Sequence, residues 1–111
     1  MKWHKALNIT QIPMEGDIKT IHVGGKQLCI INTEARIVAT QSYCPHAGGH
    51  FSGGWCKNGH LVCPIHRYEY NLKTGRGVEG QGDYIHIYPT DLRDDGLYIG
   101  FEESWWTKLW S

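Results

Sequence analysis

Residues 18–32, IKTIHVGGKQLCIIN, decide the fold class. Two runs of β-branched and aliphatic residues, 18–23 and 27–32, meet across Gly24-Gly25-Lys26. Glycine supplies the positive φ that a tight turn between twisted strands demands, so the stretch reads as a β-hairpin. RIVAT (36–40) follows the polar bend NTEA (32–35) as a third strand. Further along come HLVC (60–63), YEYNL (68–72) with a Lys73-Thr74-Gly75 turn, YIHIY (84–88) and LYIGF (97–101). Asp94-Asp95-Gly96 turns the chain into the last of these. Nothing in the first hundred residues keeps a 3.6-residue apolar period. The pattern predicts an all-β domain, an antiparallel β-sandwich or small barrel, without internal repeats, low-complexity segments or linkers.

The 111 residues suit a single domain, 1–111, with 41% hydrophobic and 20% charged residues. No apolar run is long enough to span a bilayer. The start, MKWHKALNIT, lacks the apolar core and cleavage site of a secretory leader. An intracellular, cytoplasmic location is therefore expected, and in that reducing setting four cysteines point to metal before disulfides. Net charge is zero but unevenly spread. Residues 44–76 carry +3, and residues 77–111 set seven acids against Arg93 and Lys108. These blocks are too weak and broken for nucleic-acid binding, where a concentrated basic face is required.

Two regions depart from the strand pattern. Residues 43–59, YCPHAGGHFSGGWCKNG, hold five of the fourteen glycines and read as irregular structure in which backbone approaches something closely. The tail 104–111 is Trp-rich, and Trp105, Trp106 and Trp110 are spaced for a short helix. It reads as a cover over an apolar edge, or alternatively as a docking or membrane-surface patch.

Chemistry concentrates in Cys44-Pro45-His46 and Cys63-Pro64-Ile65-His66. Each loop offers one thiolate and one imidazole, a set that suits zinc or iron–sulfur iron. Zinc fingers of the Cys2His2 type place both cysteines before both histidines. Here each loop brings one of each, which fits a two-iron cluster with two cysteines on one iron and two histidines on the other. Zinc on the same four ligands is the alternative. His4, His22, His50, His60 and His86 lack a thiolate partner at matching spacing, though His50 and His60 lie between the loops. Cys29 reads as a buried strand residue and Cys56 as a stray thiol in the glycine-rich loop.

The segments CPHAGGHFSGG and VCPIHRYEYNLKTG, with their flanks from ALNITQIPMEGD to DDGLYIGFE, resemble Rieske-type iron–sulfur proteins, in particular small soluble Rieske ferredoxins. The resemblance implies one [2Fe–2S] cluster on Cys44, His46, Cys63 and His66, in a cluster-binding subdomain over about 43–72 at one end of a β-sandwich. It also exposes departures. The disulfide that braces the two loops in respiratory Rieske proteins is missing, Gly49 and Ile65 standing in its place. Arg67 replaces a usual glycine, Tyr68 stands where high-potential members have serine, and the proline-containing third loop is not evident in VEGQGD (78–83). Tyr70 falls where the family has a hydrogen-bonding tyrosine or a phenylalanine, and its hydroxyl is a candidate donor to a ligand sulfur.

The resemblance implies a one-electron carrier between a flavin-type reductase and a terminal oxygenase or similar acceptor, and not itself an enzyme. The ligand histidines are then the electron exit. A small subunit or regulatory module of a larger redox enzyme, and a zinc-stabilised interaction domain, are the alternatives.

Overall fold

The computed structural model of the chain describes residues 1–45, 49–65, 67–78 and 83–101. Among the described residues, ten strands form three antiparallel sheets. They are β1 (Lys2–Asn8), β2 (Ile18–Val23), β3 (Lys26–Thr33), β4 (Arg36–Gln41), β5 (Trp55–Lys57), β6 (His60–Val62), β7 (Glu69–Asn71), β8 (Ile87–Tyr88), β9 (Thr90–Arg93) and β10 (Gly96–Phe101). The first sheet has the order β1-β10-β9, the second β2-β3-β4-β8 and the third β5-β6-β7. No helix among the described residues is long and apolar enough to cross a membrane.

The hairpin over 18–32 forms, with Ile18 opposite Ile31 and Val23 opposite Lys26. Its loop is only Gly24-Gly25, both at positive φ, and Lys26 already belongs to β3. Tight turns of the same handedness join β3 to β4 through Glu34-Ala35 and β5 to β6 through Asn58-Gly59.

In β3, four consecutive residues are buried: Leu28, Cys29, Ile30 and Ile31. Successive side chains of a strand point to opposite faces, so the second sheet is covered on both sides. Leu28 and Ile30 face a core completed by Leu7 of β1 and by Leu97, Ile99 and Phe101 of β10. Cys29 and Ile31 face another, made with Phe51, Leu61 of β6 and Tyr70 of β7. The molecule is thus a three-layer stack with the second sheet in the middle. Each fully buried aliphatic or aromatic side chain in these cores contributes about 1.5–3 kcal/mol.

Several sequence expectations need correction. Residues 43–59 are more regular than their glycines suggest, with a 3-10 turn at Phe51–Gly53 and strand β5 inside them. Of 84–88 only Ile87–Tyr88 is strand, Tyr84 making a single bridge to Arg76. Strands β1 and β9 are additions to the expected set. The tail 104–111 and its tryptophans lie outside the described residues, as do positions 79–82 of the VEGQGD stretch.

Candidate metal centre

Cys44 leaves the end of the β4 segment, and Cys63 directly follows β6. The two loops are pinched in the same way. The Cys44 N–H donates to the Gly49 carbonyl at 2.8 Å, and the Cys63 N–H donates to the Tyr68 carbonyl, also at 2.8 Å. Each bond closes a loop back on its own cysteine five residues upstream. The proline after each cysteine fixes φ and removes a donor that would compete for that geometry.

The loops also touch each other. A Cβ on Gly49 would come within 2.9 Å of Ile65 Cδ1 and 3.1 Å of Cys63 Sγ, so a side chain there would push Ile65 and crowd the Cys63 sulfur. Arg67 has φ +55, which explains why glycine is usual there and leaves an exposed guanidinium on a left-handed residue.

The structure brings the two predicted cysteines together. Cys44 and Cys63 are both buried and unbridged. Burial pushes the Cys63 thiol up, the Ile65 N–H bonded to it pulls it down, and the adjacent Cys44 thiol pushes it up again. Tyr70, fully buried beneath them, holds its Oη 3.2 Å from Cys44 Sγ. Its ring meets Phe51 edge-on at 5.9 Å. Burial first, then Cys44 and Asp83, drive the Tyr70 phenol well above its ordinary range. His46 and His66 lie outside the described residues, and no group of three metal-capable side chains occurs among the described ones.

The donor set fits a sulfur-ligated iron centre. Two desolvated thiols side by side resist ionisation because the thiolates would repel each other, and a cation between them removes that cost. The Ile65 amide reaches Cys63, and the Tyr70 hydroxyl approaches Cys44, as the surroundings of ligand sulfurs do.

The other two cysteines lie within strands. Cys29 is enclosed in β3, where burial holds its thiol at about 11 despite a contact with Thr20. Cys56 lies on β5 opposite Leu61, and burial raises its thiol as well. His50 is structural, its Nδ1 accepting the Ser52 N–H at 3.1 Å and its ring packing on Tyr43. Sequence reasoning missed Asp83, whose Oδ2 accepts the Tyr70 hydroxyl at 2.8 Å. The contact is built by main chain: Tyr70 bridges Gly77, and the Gly77 N–H donates to the Asp83 carbonyl.

An all-β scaffold that turns two thiols toward each other from two pinched loops describes a metal-carrying class of small protein. The family model of the Rieske [2Fe-2S] domain matches residues 2–88. The chain belongs to the Rieske [2Fe-2S] family, and one such cluster is its cofactor. The ferredoxin component of a naphthalene 1,2-dioxygenase system from Pseudomonas aeruginosa is 34% identical over 99 residues, which cover 88% of this chain and 94% of that one. A ferredoxin from Sphingomonas yanoikuyae B1 superimposes with a TM-score of 0.79 at 16% identity, covering 91% of this chain and 100% of the other. The complex of reduced oxygenase and oxidized ferredoxin in carbazole 1,9a-dioxygenase gives a TM-score of 0.75 at 20% identity, covering 88% of this chain and 92% of its counterpart. At these identities the structural matches speak for the fold alone, and that fold agrees with the three-layer stack described above.

Proposed function

We propose that this chain is a one-electron carrier, taking electrons from a reductase and delivering them to a terminal oxygenase or similar acceptor in the cytoplasm. The observation that carries the reading is the meeting of the buried Cys44 and Cys63 thiols at the feet of two identically pinched loops. In this reading Cys44 and Cys63 hold one iron, His46 and His66 hold the other, and residues 43–72 form the cluster-binding subdomain. The bound cluster supplies one reversible electron. The chain excludes water from the sulfurs with Phe51, Leu61 and Tyr70, and the two pinching hydrogen bonds fix the cysteines in place.

Exposed apolar residues beside the ligand cysteines supply the surface for exchange. Pro45, Pro64 and Ile65, one or two residues after the buried cysteines, are exposed, as are Tyr43 and Trp55. A shallow apolar rim of this kind permits close approach and fast separation, which a shuttling carrier needs. The kinship with ferredoxin components of dioxygenase systems supports an oxygenase as acceptor, and four unbridged cysteines suit a reducing cytoplasm.

EPR of the dithionite-reduced protein tests the assignment. A two-iron signal with coupling to two nitrogens, lost in Cys44→Ser and Cys63→Ser but retained in Cys29→Ser and Cys56→Ser, is the expected result. A colourless protein holding zinc, or bleaching by the Cys56 change alone, would overturn it.

A further inference from the structure

Tyr70 sits between two acceptors with one proton to give. Its Oη is 3.2 Å from Cys44 Sγ on one side and 2.8 Å from Asp83 Oδ2 on the other, where it is the donor. While Cys44 is a thiol, both contacts are satisfied: the S–H donates to the phenol oxygen and the phenol proton goes to the carboxylate. As a metal ligand, Cys44 has no proton. The two acceptors then compete for the phenol hydrogen, and a carboxylate accepts more strongly than a metal-bound thiolate.

We propose that Asp83 is a positioning residue that holds the Tyr70 proton away from the Cys44 sulfur, and by doing so keeps the cluster's potential lower than a free Tyr70 would set it. The inference rests on Cys44 being a ligand, as the functional reading above has it. A hydrogen bond donated to a ligand sulfur stabilises the more negative, reduced state and so raises the potential. Asp83 withholds that bond. Tyr70 itself has little freedom to escape the choice. It is fully buried, its ring is held edge-on by Phe51, and its backbone is fixed opposite Leu61 in the third sheet. Asp83 is anchored through its own carbonyl to Gly77, so its side chain can be changed without loss of that main-chain bond.

The test is a double-mutant cycle of Tyr70→Phe and Asp83→Asn, read as midpoint potential by voltammetry on the cluster-loaded protein. Tyr70→Phe alone should leave the potential almost unchanged, because the hydroxyl proton is not on the sulfur. Asp83→Asn should raise it, partly by removing a negative charge and partly because the amide oxygen is a weaker acceptor that yields the phenol proton to Cys44 more readily. In the Asp83→Asn background Tyr70→Phe should now lower the potential clearly, and this difference between backgrounds is the signature of positioning. Resonance Raman of the iron–cysteine stretches gives a second readout. A Tyr70-dependent shift on transfer to deuterated water should appear in Asp83→Asn and be absent from the parent protein. If Asp83→Asn raises the potential equally with Tyr and with Phe at position 70, Asp83 acts only as a charge and the inference is overturned. It is overturned too if Tyr70→Phe strongly lowers the potential in the parent. Cys44→Ser separates the two levels: retention of an unaltered cluster signal would remove Cys44 as a ligand, and the functional reading would fail before the inference is reached.

Discussion

The two cores on either side of the second sheet are built on different terms. The one facing β1 and β10 is closed by these strands of seven and six residues and lined with aliphatic and aromatic groups such as Leu7, Ile30, Leu97 and Phe101. The one facing β5, β6 and β7 is closed by strands of three residues each, and among its buried members are three cysteines and a tyrosine hydroxyl. The first side contains everything needed to exclude water. The second encloses groups that want a cation, and its short strands contribute few hydrogen bonds of their own. One sheet thus serves as the floor of a self-sufficient sandwich and as the platform for a layer completed by its cofactor.

Removal of the cluster puts the largest strain on this contrast. Amides of β5, β6 and β7 should lose hydrogen-exchange protection by about a hundredfold or more, while those of β2, β3 and β10 change little. Uniform loss across all three sheets would erase the distinction between the two sides. Matched truncations sharpen it next. Ile30→Ala and Leu61→Ala each remove a fully buried side chain, at a cost of about 2–5 kcal/mol. The first should lower the denaturation midpoint and leave cluster retention intact. The second should appear mainly as faster cluster loss under chelator, and equal retention in both variants would count against the proposed division.

Titration of Cys29 gives a smaller effect. Burial holds its thiol at about 11, against an ordinary value of 9.0 in the unfolded chain. A folded value raised above the unfolded one stabilises fully below pH 9, and that stability is lost as pH rises through 9 towards 11. The loss amounts to about 2 kcal/mol at pH 11. Denaturant melts of parent and Cys29→Ala between pH 8 and 11 should converge by that amount. Parallel pH curves would mean that the thiolate is accommodated in the fold. Arg67→Gly should move stability least, raising it by about 0.5 kcal/mol because relief of left-handed strain is partly offset by a more flexible unfolded chain. Thermal melts resolve this, and a clear destabilisation would show that the guanidinium is engaged.

The strands legible in the sequence are those whose own residues carry the pattern. The hairpin 18–32, RIVAT and LYIGF all announce themselves by apolar runs between turn residues. Strand β1 does not, because most of its side chains are at least partly exposed and its conformation comes from pairing with β10 nearly a hundred residues away. Strand β9 is an edge with the same difficulty. In the glycine-rich stretch, Asn58-Gly59 between WCK and HLV is a hairpin signal that the surrounding glycines obscure. The cysteines of the candidate centre are readable from their spacing, since each loop is local. The Tyr70–Asp83 pairing is not, because it depends on main-chain bridges through Gly77 that no local pattern announces.

The twin bonds from Cys44 to Gly49 and from Cys63 to Tyr68 bear on speed as well as on shape. A carrier is slowed whenever its atoms must shift after the charge among them changes. Thiols fixed by closed loops, in a pocket from which water is shut out, have little room to shift. The work of arranging the surroundings is done once, when the chain folds, and need not be repeated at each turnover. The two small rings of backbone therefore suit the chain to repeated gain and loss of an electron.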